Sequence, residues 1–461
     1  MSETAEIVIC GAGIAGISAA YYLTVRRGLK NVVLVDEREP LTLTSDKSTE
    51  AYRNWWPGPG DEMVRYMNRS IDLLEELAEE SDNFFGLNRR GYVFLTADSE
   101  QAKAMRAFAA EASALGAGEL RIHTGRPDDP PYVPWAAEGY KNQPDGADLI
   151  LDPAMIRELF PFINPAVTAM LHPRRCGWMS AQQLGVYLLD QARRRGARLV
   201  RGRVTGVETT GGRVTAVTVH PANNTPRRIH TPRFLNAAGP FIDKVGQMLG
   251  IKLPVFNELH AKLSIRDTAG VIPRDVPMLI WQDPVPLYWT EAERAELAQD
   301  EELRFLLDTF PAGIHFRPEG LGDSPILLLL WTYHMEPQEA VWPPQFDPDY
   351  PEIALRGLAH MVPGFQPYID RLGRPYVDGG YYCKTRENRP LIGPLPVEGA
   401  YIFGALSGFG IMASQAGGEL IAAHITGGEL PGYAPAFQLS RYDDPAYQKR
   451  LQNWNAASGQ L

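Results

Sequence analysis

Apolar positions along the chain fall into short runs that alternate with amphipathic stretches and glycine-rich breaks, the pattern of strands and helices taken in turn. Ile7 to Ile9 is a strand that runs into glycines, a helix-forming stretch follows, and Val32 to Val35 is a second strand. The spacing then predicts a helix over Met63 to Glu79, a strand over Tyr92 to Leu95 and an alanine-rich helix over Ala102 to Ala112. Residues Asp128 to Pro144 are crowded with Pro, Gly and Asp and read as an irregular excursion. Helical periodicity returns over Leu184 to Arg195, followed by a strand over Ala197 to Val200. Val204 to Val207 and Val214 to Val219 flank Gly211-Gly212, a hairpin signal. Phe234-Leu235-Asn236 reads as a buried strand that ends in the small-residue loop Ala237-Ala238-Gly239. Thr290-Glu291-Ala292-Glu293 is a capping box opening an acidic helix toward Leu307, either a solvated surface helix or a lid. Ile326 to Trp331 is a further buried strand, and Tyr401 to Gly404 leads through Gly408-Phe409-Gly410 into a helix over Ile411 to His424.

The glycines after the first strand have the spacing Gly11-x-Gly13-x-x-Gly16, and the second strand ends on Asp36, twenty residues beyond Gly16. Gly11 permits a tight turn, Gly13 lets a pyrophosphate approach the backbone, and Gly16 lets helix and strand pack closely. The pyrophosphate would sit on the N–H groups of the helix N-terminus, and Asp36 would take a ribose hydroxyl. There is no second such fingerprint, so reduction by a nicotinamide bound on its own βαβ unit is not expected.

The 461 residues allow two large domains or three of usual size, and 44% of them are hydrophobic. A net charge of −10 without a basic run argues against nucleic acid or an anionic membrane as partner. Cys10, Cys176 and Cys383 form neither a disulfide framework nor a metal-binding pattern, which fits a reducing cytoplasm. The first strand leaves no room for a secretory signal, the longest apolar run is too short to span a bilayer, and no His/Cys cluster has metal-ligand spacing.

Taken together, the N-terminal fingerprint, Arg203-Val204, Asn236-Ala237-Ala238-Gly239-Pro240, the run Lys384 to Gly393, Gly404 to Gly410 and Phe437 to Tyr442 resemble the amine-oxidising flavoproteins of the D-amino-acid oxidase superfamily, sarcosine oxidase and its relatives in particular. The resemblance implies FAD and an α/β fold. A Rossmann-like FAD domain would comprise residues 1–90, 177–252 and 379–461, with an inserted α+β substrate domain of mixed or antiparallel sheet over 91–176 and 253–378. It carries FAD contacts to Gly11, Gly13, Ile14, Ala15, Gly16, Asp36, Glu37, Arg38, Ser45, Lys47, Ser48, Thr49, Val204, Ala238, Gly239, Gly408, Phe409, Gly410, Ile411 and Met412. Ser45, Ser48 and Thr49 would donate hydrogen bonds, Lys47 would neutralise the pyrophosphate, and Val204 would hold the adenine through its backbone. The helix after Gly410 would aim its positive end at the reduced ring.

The tethering cysteine of sarcosine oxidases is replaced by Gly380, and Cys383, at an odd offset, points to the other strand face; non-covalent FAD is expected. On the substrate side the resemblance assigns Arg53 to a substrate carboxylate and His334 to orienting or deprotonating an amine, with a structural histidine as the alternative. Met412 stands where the partner lysine of the carboxylate clamp should be, and Tyr382 where relatives keep an arginine. Trp55, Trp56, Tyr333, Tyr381 and Tyr382 are either aromatic walls of the site or core. His260 and Lys262, two apart on a strand, either face the flavin together or lie on the surface. The oxygen-activating lysine is matched by Leu330, which favours a dehydrogenase or slow oxidase unless Lys262 substitutes. The expectation is oxidation of a C–N bond in a secondary amine or amino-acid derivative, with O2, a quinone or an electron-transfer protein as acceptor. Two rivals stay open: a 2-hydroxy-acid dehydrogenase, and the flavin subunit of a heteromeric amine dehydrogenase.

Overall fold

The computed structural model describes residues 3–221, 225–320, 322–371, 373, 375–452 and 454. The buried strands Ile7–Cys10 and Val32–Asp36 pair in parallel at the centre of a six-stranded sheet. Arg198–Arg201 extends it on one side; Phe234–Asn236, Ala400–Gly404 and Leu391–Pro394 extend it on the other, and only the last is antiparallel. Largely apolar central strands suit this sheet because helices pack on it. Every residue of the fingerprint helix Ile14–Tyr21 is buried, and it packs on the C-terminal helix Gly410–Thr426. Their approach depends on Gly418, where a Cβ would stand 2.2 Å from Ser18 Oγ. The amphipathic helix Glu62–Glu80 lies against the same helix: Tyr66 Oη donates to Ala413 O (2.7 Å) and Ser70 Oγ to Met412 O (2.5 Å).

The glycine hairpin forms as expected. Arg203–Thr210 and Arg213–His220 pair antiparallel around Gly211 and Gly212, whose φ of 59° and 79° suit a two-residue turn.

A nine-stranded mixed sheet forms the other half, in the order Tyr376–Lys384, Phe256–Arg266, Ile326–Leu330, His315–Glu319, Met278–Trp281, Tyr92–Thr96, Ala169–Pro173, Ala147–Ile150 and Leu120–His123. The strand Tyr376–Lys384 runs across residue 379, where the sequence places a domain boundary. One face of this sheet (Leu263, Leu279, Trp281, Leu327, Leu329) is covered by the helix Tyr350–Met361. The capping box at Thr290 forms, with both reciprocal hydrogen bonds (2.6 and 3.3 Å), but its helix ends at Leu297 rather than running toward Leu307. Asp300 Oδ1 accepts from the N–H groups of Glu302 and Leu303 and starts a new turn, which leads to a short 3₁₀ segment, Arg304–Leu307. Glu293 pairs with Arg356 of the covering helix at 2.8 Å, so this element lies behind the sheet and is no lid.

Candidate active site

A cleft of about 550 Å³ opens beyond the carboxyl ends of the parallel strands, the usual ligand position in such sheets. Gly11 forms its floor at φ 111°, where a Cβ would collide with Ala237 O at 2.3 Å. Gly13 caps the fingerprint helix without a side chain, and Ser45 Oγ accepts the Ile14 N–H at 3.0 Å. Both helices that begin at the cleft, Ile14–Tyr21 and Gly410–Thr426, lack an acidic residue in the first turn, so their positive ends remain for an anionic ligand. Asp36 accepts the N–H groups of Ala12 (2.7 Å) and Arg38 (2.8 Å); burial raises its pKa above the usual range. Glu37, held by Arg203 Nε at 2.6 Å, stands beside it.

Of the residues expected to hold the cofactor, Gly11, Gly13, Ile14, Ala15, Asp36, Glu37, Arg38, Ser45, Ser48, Val204, Ala238, Gly239, Gly408, Gly410 and Ile411 line this cleft. Five do not. Gly16 packs beneath the turn, where a Cβ would be 2.0 Å from Gly11 O. The Thr49 carbonyl accepts from Arg317 Nε (2.7 Å), Phe409 packs edge-on against Trp56 (5.0 Å), and Met412 is buried below Ser70. Lys47 turns away to Asp378 (2.8 Å) and Asp46 (3.1 Å), so its charge is neutralised there and is not directed at a pyrophosphate. The cleft also takes residues not expected from sequence, among them Lys244, Met248 and Trp342, together with Cys383. Burial pushes the Cys383 thiol up to about 12, so it stays protonated.

The nine-stranded sheet turns one face toward this cofactor half. Alternation along its strands puts Glu258, His260 and Lys262 on that face with Tyr382, Gly380 and Asp378 of the neighbouring strand. Lys262 Nζ donates to Asp46 O at 2.8 Å, and burial lowers its pKa. Gly380 packs on Thr44 and Lys47, and a Cβ at Gly408 would strike the Tyr382 ring at 2.3 Å. The ring of Tyr382 stacks on His260 with centroids 4.0 Å apart. His260 is buried and uses both nitrogens: Nε2 bonds Glu258 at 3.2 Å and Nδ1 bonds Thr332 Oγ1 at 2.8 Å. Glu258 also receives Lys384 Nζ at 2.9 Å; burial opposes its charge, yet these donors hold its pKa below the usual glutamate value. Across the face, Arg53 is buried with its guanidinium 4.6 Å from the Trp56 ring centroid and 5.9 Å from that of Tyr92. Desolvation lowers its pKa.

His334 is not among these groups. Its side chain is 57% exposed and lies 3.6 Å from Asp347, because the strand Ile326–Leu330 ends before it and the chain turns outward. The expected active-site role of His334 is therefore corrected: the buried histidines of this face are His260 and His315. Tyr381 lines the cleft, whereas Trp55 is core. Among the described residues no group of three or more His, Cys, Asp or Glu could hold a metal, and no helix is long and apolar enough to cross a membrane.

The glycine floor and the two acid-free helix ends fit the pyrophosphate and ring of a flavin dinucleotide. Comparison with known proteins agrees. Dimethylglycine dehydrogenase of Mus musculus is 25% identical over 464 residues, covering 97% of this chain but 44% of the mouse protein. The chain thus spans less than half the length of the mouse, rat and human dimethylglycine dehydrogenases that it resembles. Sarcosine oxidase subunit beta of an Arthrobacter species is 21% identical, covering 95% of this chain and 91% of that one. L-proline dehydrogenase of P. horikoshii shares the fold with a TM-score of 0.72 at 20% identity, covering 96% of this chain and 99% of that one. Glycine oxidase of Geobacillus kaustophilus shares it with a TM-score of 0.70 at 16% identity, covering 95% and 99%. Residues 6–424 match the family model described as DAO, FAD dependent oxidoreductase, and the chain belongs to that family of FAD-dependent oxidoreductases.

Proposed function

We propose that this flavoenzyme oxidises a C–N bond in a secondary amine or amino-acid derivative, giving an imine that hydrolyses. The carrying observation is the character of the face opposite the cleft: a buried cation, Arg53, set among aromatic rings, beside two buried histidines whose pKa values are lowered. A neutral amine needs no strong base, because its nitrogen lone pair drives loss of hydride from the α carbon. Bound FAD supplies the hydride acceptor. Arg53 holds a substrate carboxylate, Tyr382 stays a neutral phenol because burial raises its pKa, and the packed face excludes water. Oxidation of a 2-hydroxy acid would instead require a base for the hydroxyl proton, and His334, the residue suited to that by sequence, is on the surface.

The division into a cofactor unit and a substrate unit near the expected boundaries, cytoplasmic residence and non-covalent FAD belong to the same reading. All three cysteines are free and buried, and Gly380 offers no thiol at the tethering position. Trichloroacetic acid should release FAD into the supernatant; flavin left in the pellet would refute non-covalent binding. A second reading, a flavin subunit within a larger assembly, is favoured by the likeness to a sarcosine oxidase beta subunit over 91% of that chain. Anaerobic mixing of the isolated protein with a panel of amines, amino acids and hydroxy acids tests both readings. Bleaching by amines supports C–N oxidation by this chain alone, and bleaching only by hydroxy acids overturns it.

A further inference from the structure

His315 begins the strand His315–Glu319 and faces the same way as Arg317, whose Nε bonds Thr49 O of the cofactor half at 2.7 Å. Its cross-strand partners are Ile280 and Leu330, and Leu330 in turn pairs with Lys262. The imidazole is buried, and Nδ1 lies 2.8 Å from Gly313 O. A carbonyl only accepts, so Nδ1 carries the proton and Nε2 is the bare acceptor. Among the described residues Nε2 has no protein partner. His260 differs, because both of its nitrogens are engaged by Glu258 and Thr332. Burial, aided by neighbouring His260 and Arg53, brings the His315 pKa down to about 4 against the Gly313 hydrogen bond, so the ring stays a neutral acceptor near neutral pH. Arg53 stacks on Trp56, and Trp56 packs against Phe409 of the turn that leads into the C-terminal helix. His315 thus shares the sheet face of Lys262 and Arg317, the face turned toward the cofactor half.

We propose that His315 Nε2 accepts a hydrogen bond from the substrate's amine N–H, making His315 a specificity residue that selects primary and secondary amines over tertiary ones. The proposal rests on the C–N reading above. In its reactive neutral form a secondary amine keeps one N–H for this acceptor while its lone pair remains available; a neutral tertiary amine has none, and Nε2 would be left desolvated and unpaired. His315 takes no proton in this role. The substrate must therefore arrive neutral or lose its proton to solvent, and the rate should follow the amine's own titration.

Pyrrole-2-carboxylate and 2-furoate separate this inference from the reaction, since they share a shape, differ in N–H against O, and offer no C–N bond for hydride loss. Calorimetric titration of the FAD-loaded protein should show pyrrole-2-carboxylate binding about tenfold more tightly, the value of one buried hydrogen bond. In His315→Leu the ratio should fall to about one with 2-furoate affinity kept within about twofold, and His315→Gln, whose amide oxygen reaches toward the Nε2 position, should restore part of it. An undiminished ratio in His315→Leu, no preference in the unaltered protein, or failure of both acids to bind overturns the proposal. Should the leucine variant not fold, the glutamine variant decides: a ratio between one and that of the unaltered protein supports the proposal, and a ratio equal to that of the unaltered protein overturns it. Failure of the C–N reading looks different: no amine bleaches the flavin while the binding ratio still responds to position 315.

Discussion

Replacing Gly408 by alanine tests how the two sheets jointly define the flavin site. The added methyl would stand 2.3 Å from Tyr382 Cε2, 2.9 Å from Cδ2 and 3.0 Å from Cζ. Ordinary carbon–carbon contact is about 3.5–4.0 Å, so the ring must retreat by about an ångström or more. It has no room to do so, because its other face lies on His260 with centroids 4.0 Å apart, and His260 is fixed by Glu258 and Thr332. Overpacking of this kind costs about 1–3 kcal/mol. Expressed wholly in the flavin-bound state, that is roughly a fivefold to 150-fold weaker FAD affinity. Quenching of flavin fluorescence on titration into apoprotein measures it. Tyr382→Val in the same chain should return most of the loss, since the opposing ring is gone. Unchanged affinity in Gly408→Ala, or a double variant no better than the single one, would refute the contact as the cause.

Three further outcomes follow from the same face. Glu258→Gln removes a carboxylate whose folded-state pKa lies below the ordinary value; its stabilisation is present above that ordinary value and lost as pH falls through the folded one. The variant, leaving Lys384 buried without its counter-charge, should lose about 3–5 kcal/mol near neutral pH and show a flatter acid limb in denaturant titrations. Arg53→Met should lower kcat/KM for a carboxylate-bearing amine by roughly 10- to 150-fold, the worth of a charged hydrogen bond, while leaving an amine without a carboxylate within about twofold. His334→Ala should leave flavin reduction within about twofold of the unaltered protein, as expected for a surface substitution, and a hundredfold loss would reinstate it in the site.

The nucleotide half was legible because its constraints are local. Gly11, Gly13 and Gly16 act within one turn, and the acid at Asp36 ends the adjoining strand. What failed depended on distant partners or on where an element stops. Lys47 reads as a cation near a phosphate site, yet Asp378, more than three hundred residues on, neutralises it. The helix from Thr290 had the right start, but Asp300 interrupts it by bonding the next two exposed N–H groups. Thr332 still reaches His260 across the sheet, whereas two residues later the strand pattern no longer applies and His334 points to solvent. His315 was missed because Pro318 sits in its strand and breaks the sequence signal that the alternation of His315, Phe316 and Arg317 would otherwise give. Its role needs the Gly313 carbonyl, which fixes the tautomer and is invisible before the chain is folded.

The most direct measurement is flavin absorbance in the purified protein during anaerobic mixing with matched donors: a secondary amino acid such as L-proline, its N-methyl derivative, and a 2-hydroxy acid of similar size. The C–N reading requires bleaching by the secondary amine, with the imine or its hydrolysis product formed in equal amount, and little or none by the hydroxy acid. Bleaching by the hydroxy acid while every amine tried leaves the flavin oxidised would contradict it.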